Sequence, residues 1–156
     1  MPMLSTEKPE SIRARIAIVG SRDFSNTGVV KAFVCSLPPG TVVVSGGARG
    51  VDQWAEYVAK ERGLETNIFR ADWENLGRQA GPIRNAEIIA SADRLIAFWN
   101  GHSRGTLNTV LSARAAGLPI LILDETGDEV NIETALAVAE QNGAAAAWAK
   151  GMRSKA

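Results

Sequence analysis

The chain has 156 residues, of which 46% are hydrophobic and 22% charged, and its 17 lysines and arginines balance 17 aspartates and glutamates. This composition is typical of one globular domain, and zero net charge excludes a global basic field of the kind that drives non-specific nucleic-acid binding. The lone Cys35 excludes an internal disulfide, and no apolar run reaches the ~18 residues that a membrane span needs. We therefore expect a cytoplasmic protein with no membrane partner.

The first half of the chain alternates between strand and helix patterns. Residues 1–14 are polar and contain two prolines, so we expect a flexible N-terminal arm there. Apolar residues then recur either in short β-branched runs, which favour buried strands, or at helical spacing. The predicted elements are a strand at 15–19, a helix with the apolar face Val30, Phe33, Val34 and Leu37, a strand at 41–45, a helix from Val51 that ends near Gly63, and a weaker strand at 65–70.

The second half continues this alternation. Residues 71–81 are predicted as a connection, and Pro82 suits the first turn of the next helix. A short basic tail is expected at 148–156, which leaves one folded domain at 15–147. The predicted elements are a helix with the apolar side Ile83, Ala86, Ile89 and Ala90, a strand at 94–99, a helix with the stripe Leu107, Val110, Leu111 and Ala115, a strand at 119–123, and an alanine-rich helix that begins at Asn131.

Five strands alternating with helices predict an α/β protein. The expected architecture is a single Rossmann-like three-layer domain, with a five-stranded, mostly parallel sheet and helices on both faces. Ligands of such sheets bind outside the carboxyl ends of the strands, where the strand order reverses. The unusual polar residues of this chain follow its strands, whereas the loops at the opposite end are ordinary. We therefore expect a site at the carboxyl edge.

A glycine-rich turn follows the second strand and opens the next helix. Such a turn predicts an anion site, because glycines allow close approach and the free N–H groups of a helix N-terminus point at the ligand. Arg49 adds a planar cation suited to phosphate. Asp52 either accepts from a ribose hydroxyl or complements the helix dipole, which is expected to lower its pKa. The candidate residues here are Ser45, Gly46, Gly47, Arg49, Gly50 and Asp52.

Two further segments add polar candidates. Gly20, Ser21 and Arg22 follow the first strand directly. Arg84 and Asn85 are expected in the first turn of their helix, where an arginine opposes the dipole, so that a ligand phosphate or carboxylate would explain Arg84 better than helix stability does. Loss of the Arg84 side chain is expected to weaken nucleotide binding with little change in thermal stability.

The loop after the fourth strand carries a second glycine-bearing turn. Ser103, Gly105 and Thr106 offer hydroxyls and amides at a helix start, so that they either bind an anion or cap the helix. Trp99, at the strand end, either stacks on a base or packs as a core or rim aromatic. The only histidine, His102, is interpreted as a solvated loop residue rather than a base.

Metal and standard nucleotide motifs are missing from the sequence. One cysteine, one histidine and no clustered carboxylates do not support a metal site, and we expect no cofactor. The chain has no P-loop, and its first turn lacks the glycine pattern of a standard dinucleotide fingerprint.

Three ordered motifs resemble the SLOG superfamily. They are Ser45-Gly46-Gly47-Ala48-Arg49-Gly50-Val51-Asp52 followed by Ala55, then Arg84-Asn85 before Ile88-Ile89, then Ser103-Arg104-Gly105-Thr106. This group joins the LOG-type cytokinin-activating enzymes, the DprA/Smf DNA-processing proteins and the small YspA-like proteins, and the spacing is most similar to the YspA-like family over residues 15–123. The resemblance implies a Rossmann-like fold and a site for nucleotides or nucleotide-derived ligands.

The chain departs from the LOG enzymes, which cleave the base from a nucleoside monophosphate with an arginine and a glutamate. Arg84 is similar to that arginine, but Thr109 occupies the glutamate position. Our leading hypothesis is therefore a binding or sensor domain for a nucleotide or nucleotide derivative. One alternative is a nucleotide phosphoribohydrolase, with Arg84 and Asp52 as catalytic residues or with Asp72 or Asp23 supplying the charge. The other is a DprA-like binder of single-stranded DNA, a partner that zero net charge disfavours. A homo-oligomer is left open.

Overall fold

The computed structural model describes residues 13–142, so most of the predicted arm (1–14) and the whole predicted tail (148–156) lie outside the described residues. No helix within that range is both long and apolar enough to cross a membrane. The strands are β1 (Arg15–Gly20), β2 (Val42–Ser45), β3 (Glu65–Ile68), β4 (Arg94–Phe98), β5 (Ile120–Leu123) and β6 (Glu129–Val130). The helices are α1 (Thr27–Cys35), α2 (Val51–Glu61), α3 (Trp73–Leu76), α4 (Ala80–Ser91), α5 (Arg104–Ala115) and α6 (132–142), with a 3-10 turn at Gly77–Gln79.

The strands form one sheet in the order β3-β2-β1-β4-β5-β6. The first five are parallel, and β6 pairs antiparallel with β5. The predicted α/β class is confirmed, but the predicted count of five strands is one too few. The two residues of β6 are too short for a periodic signal; they reach the sheet because the Asp124 side chain accepts from the N–H groups of Thr126 and Asp128 and turns the chain back.

Side chains of the central strands alternate between two cores, one on each face of the sheet. Ile16 and Ile18 of β1 pack with residues of α1 and α2, whereas Ala17 and Val19 pack with residues of α4, α5 and α6. This period of two is the strand geometry that the apolar run of β1 requires when helices cover both faces. The sheet is therefore the middle layer of three.

Strand order reverses between β1 and β4. The chain runs from β1 outward to β2 and β3 and then crosses back to β4 beside β1. The loops that leave β1 and β4 must therefore diverge to opposite faces, which opens a crevice at the carboxyl edge. This is where the alternation of strands and helices predicts a site.

The predicted connection at 71–81 is partly helical. Asp72 caps α3 by accepting from the Asn75 N–H group at 3.2 Å, and α4 already begins at Ala80. Pro82 fits there because the first N–H groups of a helix have no partner within it. Arg84 is consequently the fifth residue of α4 and lies beyond its first turn, so the dipole argument for a ligand at Arg84 loses its basis.

Candidate functional site at the carboxyl edge

A cavity of about 690 Å³ occupies the crevice between the β1 and β4 loops, with α4 and α5 along its side. Its lining consists of Val19, Gly20, Ser21, Arg22, Asp23, Ala48, Asp52, Trp73, Gly81, Pro82, Arg84, Asn85, Ile88, Asn100, His102, Ser103, Gly105, Thr106, Asn108, Thr109 and Ser112. The volume lies within the range of about 300–1,000 Å³ that small-molecule sites occupy.

The cavity lining contains most of the site residues that the sequence predicts. Those in its lining are Gly20, Ser21, Arg22, Asp52, Arg84, Asn85, Ser103, Gly105 and Thr106. The nominated residues outside the lining are Ser45, Gly46, Gly47, Arg49, Gly50 and Trp99. Trp73 and Gly81 also line the cavity, although they are not among the predicted site residues, because the helix that places Trp73 there spans only four residues and leaves little periodic signal.

Three amides of the glycine turn, those of Gly46, Gly47 and Ala48, have acceptors within the chain. Asp52 Oδ2 accepts from the N–H groups of Gly46 and Ala48, each at 3.2 Å, and the Gly47 N–H group donates to Ser45 Oγ at 3.4 Å. Ser45 in turn donates to the buried Glu56 carboxylate at 3.0 Å. Asp52 is thus an acceptor within the chain for two of the amides that the sequence predicts to bind a ligand anion.

Two glycines give the turn a backbone that other residues rarely adopt. Gly47 has φ +69° and Gly50 has φ +82°, both in the left-handed region. A Cβ on Gly50 would also lie 2.8 Å from the carbonyl oxygen of Arg22. The glycines thus let the chain fold back onto Asp52 and onto the β1 loop. The backbone of the turn therefore requires glycine at these two positions.

Burial raises the pKa of Asp52 to about 6, against the lowering effects of the Ala48 N–H group and the Arg84 guanidinium. Asp52 is only 5% exposed, so desolvation of the charged carboxylate outweighs the hydrogen bonds and the nearby cation. The sequence predicts that the helix N-terminus lowers the pKa of Asp52, but the effect of burial is larger and the pKa is raised instead.

Arg84 has partners inside the protein. Its Nη1 donates to the carbonyl oxygen of Gly46, and its Nε donates to Asn85 Oδ1, both at 2.8 Å. Helix α4 is thereby joined to the glycine turn. A ligand is not needed to explain this arginine, although the half-buried guanidinium remains part of the cavity lining.

The loop after β4 is held by its own side chains. Asn100 Oδ1 accepts from the N–H groups of His102 and Ser103 at 2.9 Å, and the Asn100 N–H group donates to Ser21 Oγ at 3.2 Å. Ser103 Oγ accepts from the Thr106 N–H group at 3.3 Å and caps α5. Of the two alternatives for Ser103, the structure shows capping, and Ser21 joins the β1 loop to the β4 loop.

Trp99 belongs to the core. Its side chain is 4% exposed, and its Nε1 donates to the carbonyl oxygen of Ser103 at 3.0 Å. Stacking of Trp99 on a base is therefore ruled out in this conformation, and the alternative of a packed aromatic holds.

Most of the side chains considered for hydrolysis have hydrogen-bond partners within the protein. Thr109, at the LOG glutamate position, is buried and donates to the Gly105 carbonyl oxygen at 3.0 Å. Asp72 caps α3, and Asp52 holds the glycine turn. Asp23 lies exposed in the cavity lining. Among residues 13–142 there is no cluster of three histidine, cysteine or acidic side chains that could hold a metal ion.

An arginine follows each of four adjacent parallel strands. In the spatial order of the sheet these are Arg70 after β3, Arg49 after β2, Arg22 after β1 and Arg104 after β4, and all four are exposed. We call them the arginine row. Neighbouring strands are about 4.8 Å apart, so the four strand ends span about 14 Å. The ion pairs within the described residues are Arg13–Glu65 and Arg114–Glu133, and neither includes a member of the row.

The chain is similar to known proteins in sequence and in fold. A family model for DNA recombination-mediator protein A matches residues 6–72. The Gene 61 protein of Mycobacterium phage D29 is 40% identical over 117 residues, which cover 69% of this chain and 94% of that protein. The X-ray structure of DNA processing protein A (DprA) from Streptococcus pneumoniae shares the fold, with a TM-score of 0.61 at 22% identity; the match covers 70% of this chain and 50% of that one, so the chain spans about half the length of that relative. The chain therefore belongs to the family of the phage D29 Gene 61 protein, and it has a Rossmann-like fold similar to that of DprA.

Proposed function

We propose that this chain is a DNA-processing protein of the DprA type, which binds single-stranded DNA across the carboxyl edge of its sheet. The family model and the structural relative both carry names that refer to DNA recombination or DNA processing. This proposal revises the leading hypothesis drawn from the sequence, in which zero net charge counted against DNA. Net charge is a property of the whole chain, whereas phosphate binding depends on where the cations lie.

The arginine row is the observation that carries the proposal. Arg22 lines the cavity, but Arg49, Arg70 and Arg104 lie outside its lining. A mononucleotide in the cavity would leave those three guanidinium groups without a phosphate. A polynucleotide that follows the strand ends offers a phosphate to each, and arginine suits such contacts because its planar donors match phosphate geometry.

The cavity beside the row favours single strands over duplex. Its volume of about 690 Å³ is enough for an unpaired base with its sugar. A base in a duplex is stacked and paired, so it would have to be extruded at a cost of about a few kcal/mol before it could enter. A single strand presents its bases freely while its backbone follows the row.

Fluorescence anisotropy with a labelled oligo(dT) tests this proposal. We expect the wild-type chain to bind. Each of Arg22→Gln, Arg49→Gln, Arg70→Gln and Arg104→Gln should weaken binding by roughly fivefold to tenfold, which corresponds to about 1–1.4 kcal/mol for one solvent-exposed phosphate contact. Arg94→Gln is the matched control, because Arg94 is also exposed but begins β4 at the opposite edge. Lack of binding by the wild type, or equal weakening by Arg94→Gln, would contradict the proposal.

A mononucleotide in the same cavity is a second candidate, favoured by the size of the cavity and by Arg84 and Asn85 in its lining. Mass spectrometry of small molecules released on denaturing the purified chain tests it, with a bound nucleotide as the expected result. Release of no nucleotide, together with failure of nucleoside monophosphates to displace oligo(dT), counts against it. Hydrolysis of such a ligand has weaker support, since Thr109 replaces the LOG glutamate and donates to the α5 backbone.

A further inference from the structure

We propose that Trp73 is the platform on which a base of bound single-stranded DNA stacks at the rim of the cavity. This inference rests on the proposed function and adds a residue for base contact, whereas the arginine row accounts only for contacts to phosphate.

Trp73 is exposed where a ligand would lie. Its side chain is 52% exposed, and it belongs to the cavity lining together with Arg22 and Arg84. The other tryptophans within residues 13–142 are less accessible: Trp99 is buried, and Trp54 is half-buried against the core beneath α2. Among the tryptophans, tyrosines and phenylalanines of the described residues, Trp73 is the one that is both exposed and part of the cavity lining.

The indole ring is positioned rather than loose. An ideal Cβ on Gly81 would lie 3.1 Å from Cη2 of Trp73, so the ring rests against the bare backbone of the first turn of α4. The backbone of Trp73 is fixed in turn, because Asp72 caps the short helix that Trp73 begins. One edge of the ring therefore packs on α4 and its backbone is capped, which limits the conformational entropy lost on stacking.

The surroundings of Trp73 define the chemistry of its ligand. Two arginines, the half-buried Arg84 and the exposed Arg22, line the cavity together with the carboxyl groups of Asp23 and Asp52, so the lining is polar and of mixed charge. A flat, uncharged π-face close to the exposed guanidinium of Arg22 fits a nucleotide of a single strand better than it fits an apolar peptide. Stacking tolerates any base, because every base has a π-face, so Trp73 is expected to add affinity without strong sequence preference.

The experiment measures binding of oligo(dT) and of an abasic oligomer with the same number of phosphates. We expect Trp73→Ala to weaken oligo(dT) binding roughly 10- to 100-fold, the fold-change expected for loss of one base stack, while Trp73→Phe keeps most of the affinity. Binding of the abasic oligomer should be the same in wild type and Trp73→Ala. Tyr57→Ala is the matched control, since Tyr57 is an aromatic residue 64% exposed on α2, outside the cavity lining, and its loss should change nothing.

A second variant moves the ring without removing it. Gly81→Val should displace the indole and weaken oligo(dT) binding as much as Trp73→Ala does. In a separate measurement, the quenching of tryptophan fluorescence by oligo(dT) should disappear in Trp73→Phe. Equal oligo(dT) binding by Trp73→Ala and Tyr57→Ala would overturn the inference, as would an equal loss of abasic and oligo(dT) binding in Trp73→Ala. If the wild type binds neither oligomer, it is the proposed function that fails.

Discussion

Arg84 Nη1 donates to the carbonyl oxygen of Gly46 at 2.8 Å, while the N–H group of the same glycine donates to Asp52 at 3.2 Å. Both polar groups of one residue are thus bound by side chains of opposite charge from two helices. The glycine turn, which the sequence suggests as a ligand cradle, is a junction between α2 and α4. Ligand binding is consequently expected from the side chains around the turn rather than from its amides.

Arg84→Ala should lower the free energy of unfolding by about 1.5–3 kcal/mol, because a buried carbonyl loses its charged donor. This differs from the expectation that thermal stability would change little, which assumed a surface position. Arg84→Lys should recover only part of the loss, since one ammonium group replaces a fork that contacts both Gly46 and Asn85. Urea denaturation measures both effects. Stability equal to that of Arg94→Ala, an exposed control, would count against the junction.

Asp52 should make stability fall as pH rises between about pH 4 and about pH 6. Its folded pKa of about 6 lies above the ordinary value of 3.8, so the folded state binds more protons than the unfolded state in this window. Above about pH 6 the ionised group therefore lowers the free energy of unfolding by roughly 3 kcal/mol, because each unit of pKa difference corresponds to about 1.36 kcal/mol.

Asp52→Asn removes this titration and serves as the comparison. The stability of the wild type relative to Asp52→Asn should decline across the window and become constant above about pH 7. Urea titrations at several pH values give this difference. Parallel curves for the two proteins would show that burial does not raise the pKa of Asp52.

Gly47→Ala should destabilise the chain, because φ of +69° places a Cβ in the left-handed region at a cost of about 1–2 kcal/mol. Gly105→Ala is the matched control on α5, where a Cβ meets nothing within 4 Å and φ is not positive. That change should be neutral or stabilise by about 0.5–1 kcal/mol through the backbone entropy of the unfolded chain. Free energies of unfolding distinguish the two variants. Equal values for Gly47→Ala and Gly105→Ala would mean that the turn does not require a left-handed backbone at residue 47.

Much of the fold could be predicted because its elements leave local signals. The apolar runs of β1, β2 and β4 are buried on both faces and stand out in the sequence, whereas the two residues of β6 depend on a contact with β5. The DprA side of the superfamily resemblance agrees with the comparisons. The closer resemblance to the YspA-like family and the relation to the LOG enzymes stay predictions, as do the domain limits at 15–147.

The site was harder to predict, because it depends on which strands are neighbours. The sequence predicts Arg22 and Arg49 as separate candidates. That Arg70 and Arg104 lie on the same edge of the sheet follows only from the strand order β3-β2-β1-β4. The inward role of Asp52 did leave a signal, since Asp52 and Glu56 lie four residues apart beside the apolar stripe of α2. A pair of carboxylates at that spacing next to a buried face indicates internal hydrogen bonding as well as function.

Salt dependence of single-stranded DNA binding tests the arginine row most directly. For single strands the slope of log K against log salt concentration is about −0.7 for each phosphate contact, so the four members together should contribute about −2.8. The variant with all four changed to glutamine should therefore show a slope shallower by about that amount, while Arg94→Gln keeps the wild-type slope. Identical slopes for the wild type and the fourfold variant would contradict phosphate binding by the row.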